Sequence, residues 1–200
     1  MSKRLLREED GFTFSEMMVT ILIMIIVLFA LYSIFDMSIK TYSFGNSKAE
    51  AMENARLGMD KMEREIRQAY AFDKANGNNQ LFQTWDETQI EFGNDLDGSR
   101  VVECPNSDGD CELITYSLDG GTGSLMRTSG GDPQPVVENV SDVEFRYFQG
   151  NGTTEVLPGG DEALIGMVRI VVDVRVDSMV PQDGTQQILT TDVALRNRGD

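Results

Sequence analysis

Histidine does not occur in this sequence, which excludes every catalytic scheme that uses imidazole as general base or metal ligand. That removes the commonest triads. Bases are scarce: 17 Lys and Arg face 33 Asp and Glu, a formal charge of -16. No basic footprint competes for phosphate, and no nucleic-acid partner is expected. A G-x-S-x-G nucleophile elbow and a G-x-x-x-x-G-K-[ST] phosphate loop are both absent, and the chain is read as not an enzyme. Carboxylate pairs alone do not alter this, because 33 acids make some close pairs certain by chance. Proline is missing before Pro105, so nothing forces a break in a helix from about Phe14 to Ala71. Cysteine is limited to Cys104 and Cys111, separated by the turn formers Pro-Asn-Ser-Asp-Gly-Asp. Outside the cytoplasm that pair makes a small disulfide loop, whereas facing the cytosol it stays as two thiols.

The feature that stands out is the uncharged run from Met17 to Phe35, with Glu16 immediately before it. As a helix the run spans roughly 28 Å, close to the thickness of a bilayer's hydrocarbon core. An acid costs about 2.5–3.5 kcal/mol at the centre of a membrane helix, and Glu16 stands at the mouth of one. Lys3, Arg4 and Arg7 precede the run, so the positive-inside rule puts the N-terminus in the cytoplasm and the rest across the membrane. Lys40 and Lys48 blunt that asymmetry. A secretory signal fits poorly: its apolar region is shorter, and Ser43-Phe44-Gly45 lies well beyond Phe35.

The residues Gly11-Phe12-Thr13-Phe14-Ser15-Glu16, followed at once by the apolar run, resemble the processing site of type IV prepilins and pseudopilins. The resemblance implies a charged leader, residues 1–11, cut between Gly11 and Phe12 by a prepilin peptidase, with N-methylation of Phe12. Glu16 then becomes the fifth residue of the mature chain, where this family keeps a glutamate. In a filament that carboxylate can pair with the α-amine of a neighbouring subunit, fixing axial register and offsetting the desolvation of both charges. Phe14 and Ser15 stand where Leu or Ile is more usual in the family.

Beyond the run, Met52, Ala55, Met59, Met62, Ile66 and Ala69 follow helical spacing and form a seam that should dock against a globular domain. Gly45-Asn46-Ser47 is the one weak spot in the helix. Asp60 with Arg64, and Glu63 with Arg67, sit four apart on other faces, as on a solvated helix surface supported by ion pairs. The stretch Glu53-Asn54-Ala55-Arg56 and the end Arg67-Gln68-Ala69-Tyr70 are similar to those of PilW-type minor pilins and J-type minor pseudopilins of type II secretion.

After Tyr70 the apolar period shifts toward two and turn formers such as Asn76-Gly77 appear. Strands are expected at 114–118, at 143–147, and at 189–195 after a Pro-Gln-Asp-Gly turn at 181–184, and the runs 114–118, Leu125-Met126-Arg127 and Val137 to Tyr147 are again similar to the body of the PilW-type and J-type subunits. The clearest is 168–177, with Val168, Ile170, Val172, Val174 and Val176 on one face. The expected fold is α+β, a pilin-like long N-terminal helix packed on antiparallel sheet. Its parts are a leader at 1–11, a transmembrane helix at 12–35, an amphipathic helix at 36–71 and a β-rich domain at 72–200.

Asn106, Asp108, Asp110 and Glu112 place side-chain oxygens at alternate positions, as calcium-binding loops do. The pattern is incomplete: Cys111 stands where glycine belongs, and Leu118 where the closing glutamate belongs. Asp95, Asp97 and Gly98 form a second fragment of the same kind. Calcium, or a solvated acidic turn without a cofactor, are the two readings. Asn139-Val140-Ser141 and Asn151-Gly152-Thr153 match a glycosylation triplet and are assigned no role.

The resemblance implies a minor pilin or pseudopilin, a structural subunit of a type IV pilus or type II secretion pseudopilus. Its partners would be other pilins or pseudopilins, the prepilin peptidase, an inner-membrane assembly platform and membrane lipid. It would begin as a single-pass protein of a bacterial cytoplasmic membrane with its C-terminal domain outside. The alternative is a membrane-anchored extracytoplasmic binding protein, such as a calcium-dependent adhesin or sensor, that never enters a filament.

Overall fold

The computed structural model describes residues 11–72, 80–105, 109–176 and 185–196. The turns expected at 76–77 and 181–184, and the leader as far as residue 10, lie outside these residues. The chain divides into two units, Met1–Gly45 and Asn46–Asp200.

One helix, α1 (Phe14–Arg67), includes the Gly45-Asn46-Ser47 stretch. From Phe14 to Tyr42 its large apolar side chains are exposed, and the helix is long and apolar enough to cross a membrane. Three of its hydroxyls bond back to the helix. Thr20 Oγ1 donates to the Met17 carbonyl, Ser33 Oγ to that of Phe29 and Thr41 Oγ1 to that of Met37, each at 2.9 Å. In hydrocarbon, where water offers no alternative partner, such back-bonding keeps Thr and Ser tolerable. The first charges after the run, Asp36 and Lys40, pair at 2.8 Å.

The second unit is helix on sheet. A five-stranded antiparallel meander runs in chain order through β1 (Phe82–Trp85), β2 (Gln89–Gly93), β3 (Leu113–Asp119), β4 (Ser124–Thr128) and β5 (Gln134–Val137). A four-stranded sheet follows, built from β6 (Val140–Gln149), β7 (Glu155–Val156), β8 (Ile165–Val176) and β9 (Thr185–Ala194), in the order β7-β6-β8-β9. The fold is therefore α+β, as expected, with the C-terminal part of the helix packed on antiparallel sheet. Ala55, Met59, Met62, Ile66 and Ala69 of the seam are buried in one core with Phe92, Tyr116, Phe145 and Val172. On β8 the alternate valines and isoleucine from Val168 to Val176 face that core, where period two puts them.

Two expectations on the helix are corrected. It ends at Arg67 rather than Ala71, because Gln68 and Ala69 tighten into bonds to Glu65 and Ile66, and the Tyr70 N–H is taken by the Gly93 carbonyl at 2.8 Å. A pairing with the end of β2 outcompetes the last helical turn. Glu63 and Arg67 form their ion pair, but Arg64 Nε donates to the Asp60 backbone carbonyl, at 3.3 Å, rather than to its carboxylate.

Gly58 was not singled out by the sequence pattern, yet it sets how closely helix and meander approach. A Cβ there would overlap the buried Val137 side chain of β5 and lie 3.2 Å from the Val136 carbonyl oxygen. Alanine gains about 1 kcal/mol of helix propensity over glycine, whereas overpacking costs about 1–3 kcal/mol. Gly58→Ala is accordingly expected to lower the unfolding free energy by about 0–2 kcal/mol, read by denaturant titration of the full chain in detergent. A more stable variant would contradict the close approach.

A half-buried ion pair ties α1 to the meander. Glu65 Oε2 accepts the Tyr116 hydroxyl at 2.7 Å and Arg127 Nε at 2.9 Å. Burial, reinforced by the charge of Glu65, pushes the Tyr116 hydroxyl well above its ordinary value, so it remains a donor.

Candidate functional site

The N-terminal segment holds Gly11, Phe12 and Glu16, the residues expected from the sequence to be processed and to set register. Gly11, Phe12 and Thr13 are exposed and precede the first helical residue, Phe14, so the Gly11–Phe12 bond lies in backbone that a peptidase can engage without unwinding a helix. A helix here would bury that bond's carbonyl in the i→i−4 ladder.

What sequence reasoning missed is the role of Thr13. Its backbone N–H donates to Glu16 Oε2 at 2.9 Å and its hydroxyl donates to the same oxygen at 2.7 Å, while the Glu16 N–H reaches back to Thr13 Oγ1 at 3.3 Å. This is a capping box, in which two otherwise orphaned helix donors are satisfied reciprocally. The signal was legible as Thr-x-x-Glu before an apolar run. Glu16 therefore acts within its own chain before any partner arrives, and its carboxylate complements the positive end of the helix dipole.

Both local bonds land on Oε2, and among the described residues no donor reaches Oε1. The next base in the sequence, Lys40, is already paired with Asp36 and lies about 36 Å further along the helix axis. A cation that neutralises Glu16 must come from the chain's own start or from another molecule.

The remaining candidates lie in the second unit. Cys104 and Cys111 are joined by a disulfide with an S–S distance of 2.00 Å. Of the calcium-loop residues, Asn106 and Asp108 lie outside the described residues and Asp110 is exposed. Glu112 is fully buried. Its Oε1 accepts the backbone N–H groups of Leu96, at 2.8 Å, and Asp97, at 3.2 Å, and its Oε2 accepts that of Glu103 at 3.0 Å. The structure thus groups Glu112 with Asp95 and Asp97, one ligand oxygen from each lying within 4.8 Å of the others. Sequence spacing had set Glu112 beside Asp110 instead, because the chain path that returns β3 to the end of β2 is not visible in local spacing.

No protein-family model matches this chain, and no curated protein matches it.

Proposed function

We propose that the chain is a minor pilin or pseudopilin, a filament subunit whose work is assembly rather than catalysis. Its precursor sits in a bacterial cytoplasmic membrane with the N-terminus inside and the β-rich unit outside. Prepilin peptidase cuts between Gly11 and Phe12, Phe12 is N-methylated, and the subunit is extracted with its apolar helix into a type IV pilus or type II secretion pseudopilus.

The observation that carries this reading is the arrangement at the helix start: an accessible Gly11–Phe12 bond, a carboxylate at Glu16 with one oxygen open, and then an apolar helix whose side chains are exposed. The cut creates an α-amine four residues before Glu16, the charge that its counterpart in a packed neighbour would need. Before assembly, lipid covers the exposed apolar helix. Afterwards, other subunits do.

The test is the mass and N-terminal sequence of the protein purified from its native membrane. A chain beginning at N-methyl Phe12 is expected. Retention of residues 1–11 in cells with an active prepilin peptidase would sink the proposal and favour a tethered binding protein.

A further inference from the structure

We propose that the open edge of β9 takes up an extended strand from a neighbouring subunit of different sequence, an inference that rests on the filament reading. The two sheets have four ends, and three of them are poor templates for a further strand. β1 has four residues and a register shift against β2. β5 has four residues, one of them Pro135, and a shift in its pairing with β4. β7 has two residues. Short strands, proline and bulges are the usual devices that keep a sheet edge from pairing with other chains. β9 has none of them. Its ten residues pair with β8 without a shift, and no lysine, arginine or proline stands among them.

The ladder shows which backbone groups are open. The Leu195 N–H donates to the Gly166 carbonyl at 3.1 Å, one step beyond the pairing of Ala194 with Met167. Hydrogen-bonded pairs alternate with non-bonded ones in an antiparallel ladder, so Val193, Thr191, Leu189 and Gln187 turn their backbone groups toward β8. Ile188, Thr190, Asp192 and Ala194 turn theirs away, and among the described residues no strand meets them. The Gln186 carbonyl is taken by the Gln187 side chain at 2.8 Å, which closes that end of the row. Asp192 carries the one charge on the strand, and Arg169 holds it with two bonds at 2.6 and 2.9 Å. No unpaired charge on the edge repels an incoming backbone.

A strand laid there also finds a place for its side chains. A groove of about 350 Å³ lies between residues 188–191 of β9 and Met52, Arg56, Met59 and Asp60 of α1. Every second side chain of an added strand points to the helix side of the sheet, as those of Leu189 and Thr191 do, and so enters this groove. Methionine adapts to the shape it meets, while Arg56 and Asp60 are exposed and, among the described residues, form no ion pair. In strand addition the backbone bonds supply affinity and the side-chain pockets supply choice. The strand that fits carries apolar residues toward the two methionines, with an acid placed to meet Arg56 or a base to meet Asp60.

A second copy of this chain does not suit the edge. A two-fold pair of β9 with itself is antiparallel about an axis normal to the sheet. It would run the two copies of α1 in opposite directions, because the helix packs on the face of that sheet. Chains anchored in one membrane by the same end of α1 cannot meet that way. The other three edges of a second copy are the blunted ones. A subunit with a different sequence and a free strand of its own remains.

The experiment is hydrogen exchange resolved to single amides, on the full chain in detergent micelles and in isolated filaments. In micelles the N–H groups of Ile188, Thr190 and Asp192 should exchange at least about tenfold faster than those of Leu189, Thr191 and Val193, and in filaments all six should be slow. Thr190→Pro removes an outward N–H and none from the β8 ladder, so it should leave the unfolding midpoint in micelles unchanged yet lower filament incorporation at least about tenfold. Mature subunits beginning at Phe12 whose outward amides stay fast in filaments overturn the inference and leave the filament reading standing. So do Thr190→Pro chains that incorporate as the parent does. Slow outward amides already in micelles, with the mass of a dimer, would mean that copies pair with one another, and would overturn it too.

Discussion

Glu65→Ala is expected to lower the unfolding free energy by about 2–4 kcal/mol, more than any exposed charge substitution in this chain. The reason lies in what the carboxylate leaves behind. Tyr116 is fully buried, and its hydroxyl donates to Glu65. Arg127 loses its acceptor at the same time, with its side chain 22 % exposed against 18 % for Glu65. Removing one partner of such a pair strands the others in a poorly solvated place, which is costlier than the pair's net worth. The contrast is Arg146 with Glu155, a bidentate pair at 2.8 and 2.9 Å but 39 % and 34 % exposed, for which about 0–1 kcal/mol is the expectation. Denaturant titration of the full chain in detergent reads both. The companion triple variant Glu65→Leu, Tyr116→Phe and Arg127→Leu removes every stranded group, and it should recover much of the loss. Equal losses for Glu65→Ala and Glu155→Ala would show that water reaches the Tyr116 hydroxyl and that the link between α1 and the meander is not a dry one.

Glu16→Gln is expected to reduce filament incorporation at least tenfold while leaving cleavage after Gly11 intact. Glutamine can serve at this place in a capping box, so the substitution keeps the bonds to Thr13 and removes only the charge. Losing one charge-assisted contact in a low-dielectric packing site is worth about 2–4 kcal/mol, and about 1.4 kcal/mol is a factor of ten. Thr13→Val does the reverse: it removes the hydroxyl at the cap, costing about 0.5–2 kcal/mol, and preserves the carboxylate. Comparing filament and membrane fractions by immunoblot separates the two roles. The charge-pairing mechanism requires Glu16→Gln to be the more defective. If Thr13→Val fails to incorporate while Glu16→Gln behaves as the parent chain does, Glu16 is a helix cap and nothing more.

Where the physics is local, the sequence was informative. The alternation from Val168 to Val176 follows from a two-residue period and one buried face, and the buried seam from Ala55 to Ile66 from helical spacing. What escaped depends on residues far apart in the chain. Tyr70 leaves the helix because Gly93 accepts its N–H. Gly58 matters because Val136 and Val137 come within touching distance. Strands β1, β2, β5 and β7 are short, and register shifts interrupt β1 against β2 and β4 against β5, so their alternation breaks before it becomes a pattern. Glu112 was picked out as an oxygen donor, but its neighbours Asp95 and Asp97 arrive through the β2–β3 pairing. Thr13 is the exception, because its bonds with Glu16 follow from a local signal, Thr-x-x-Glu before an apolar run.

The back-bonded hydroxyls of the apolar helix carry a further consequence. Thr20 and Ser33 spend their hydrogen on carbonyls of their own chain, and no charged side chain stands between Met17 and Phe35. That stretch offers a neighbour no charge to register against. Sliding past another copy by one turn, about 5.4 Å, exchanges one set of dispersion contacts for a nearly equal set. Two such stretches side by side would hold little preferred stagger of their own, and the charge at the lip of the first turn is what can tell one position from the next.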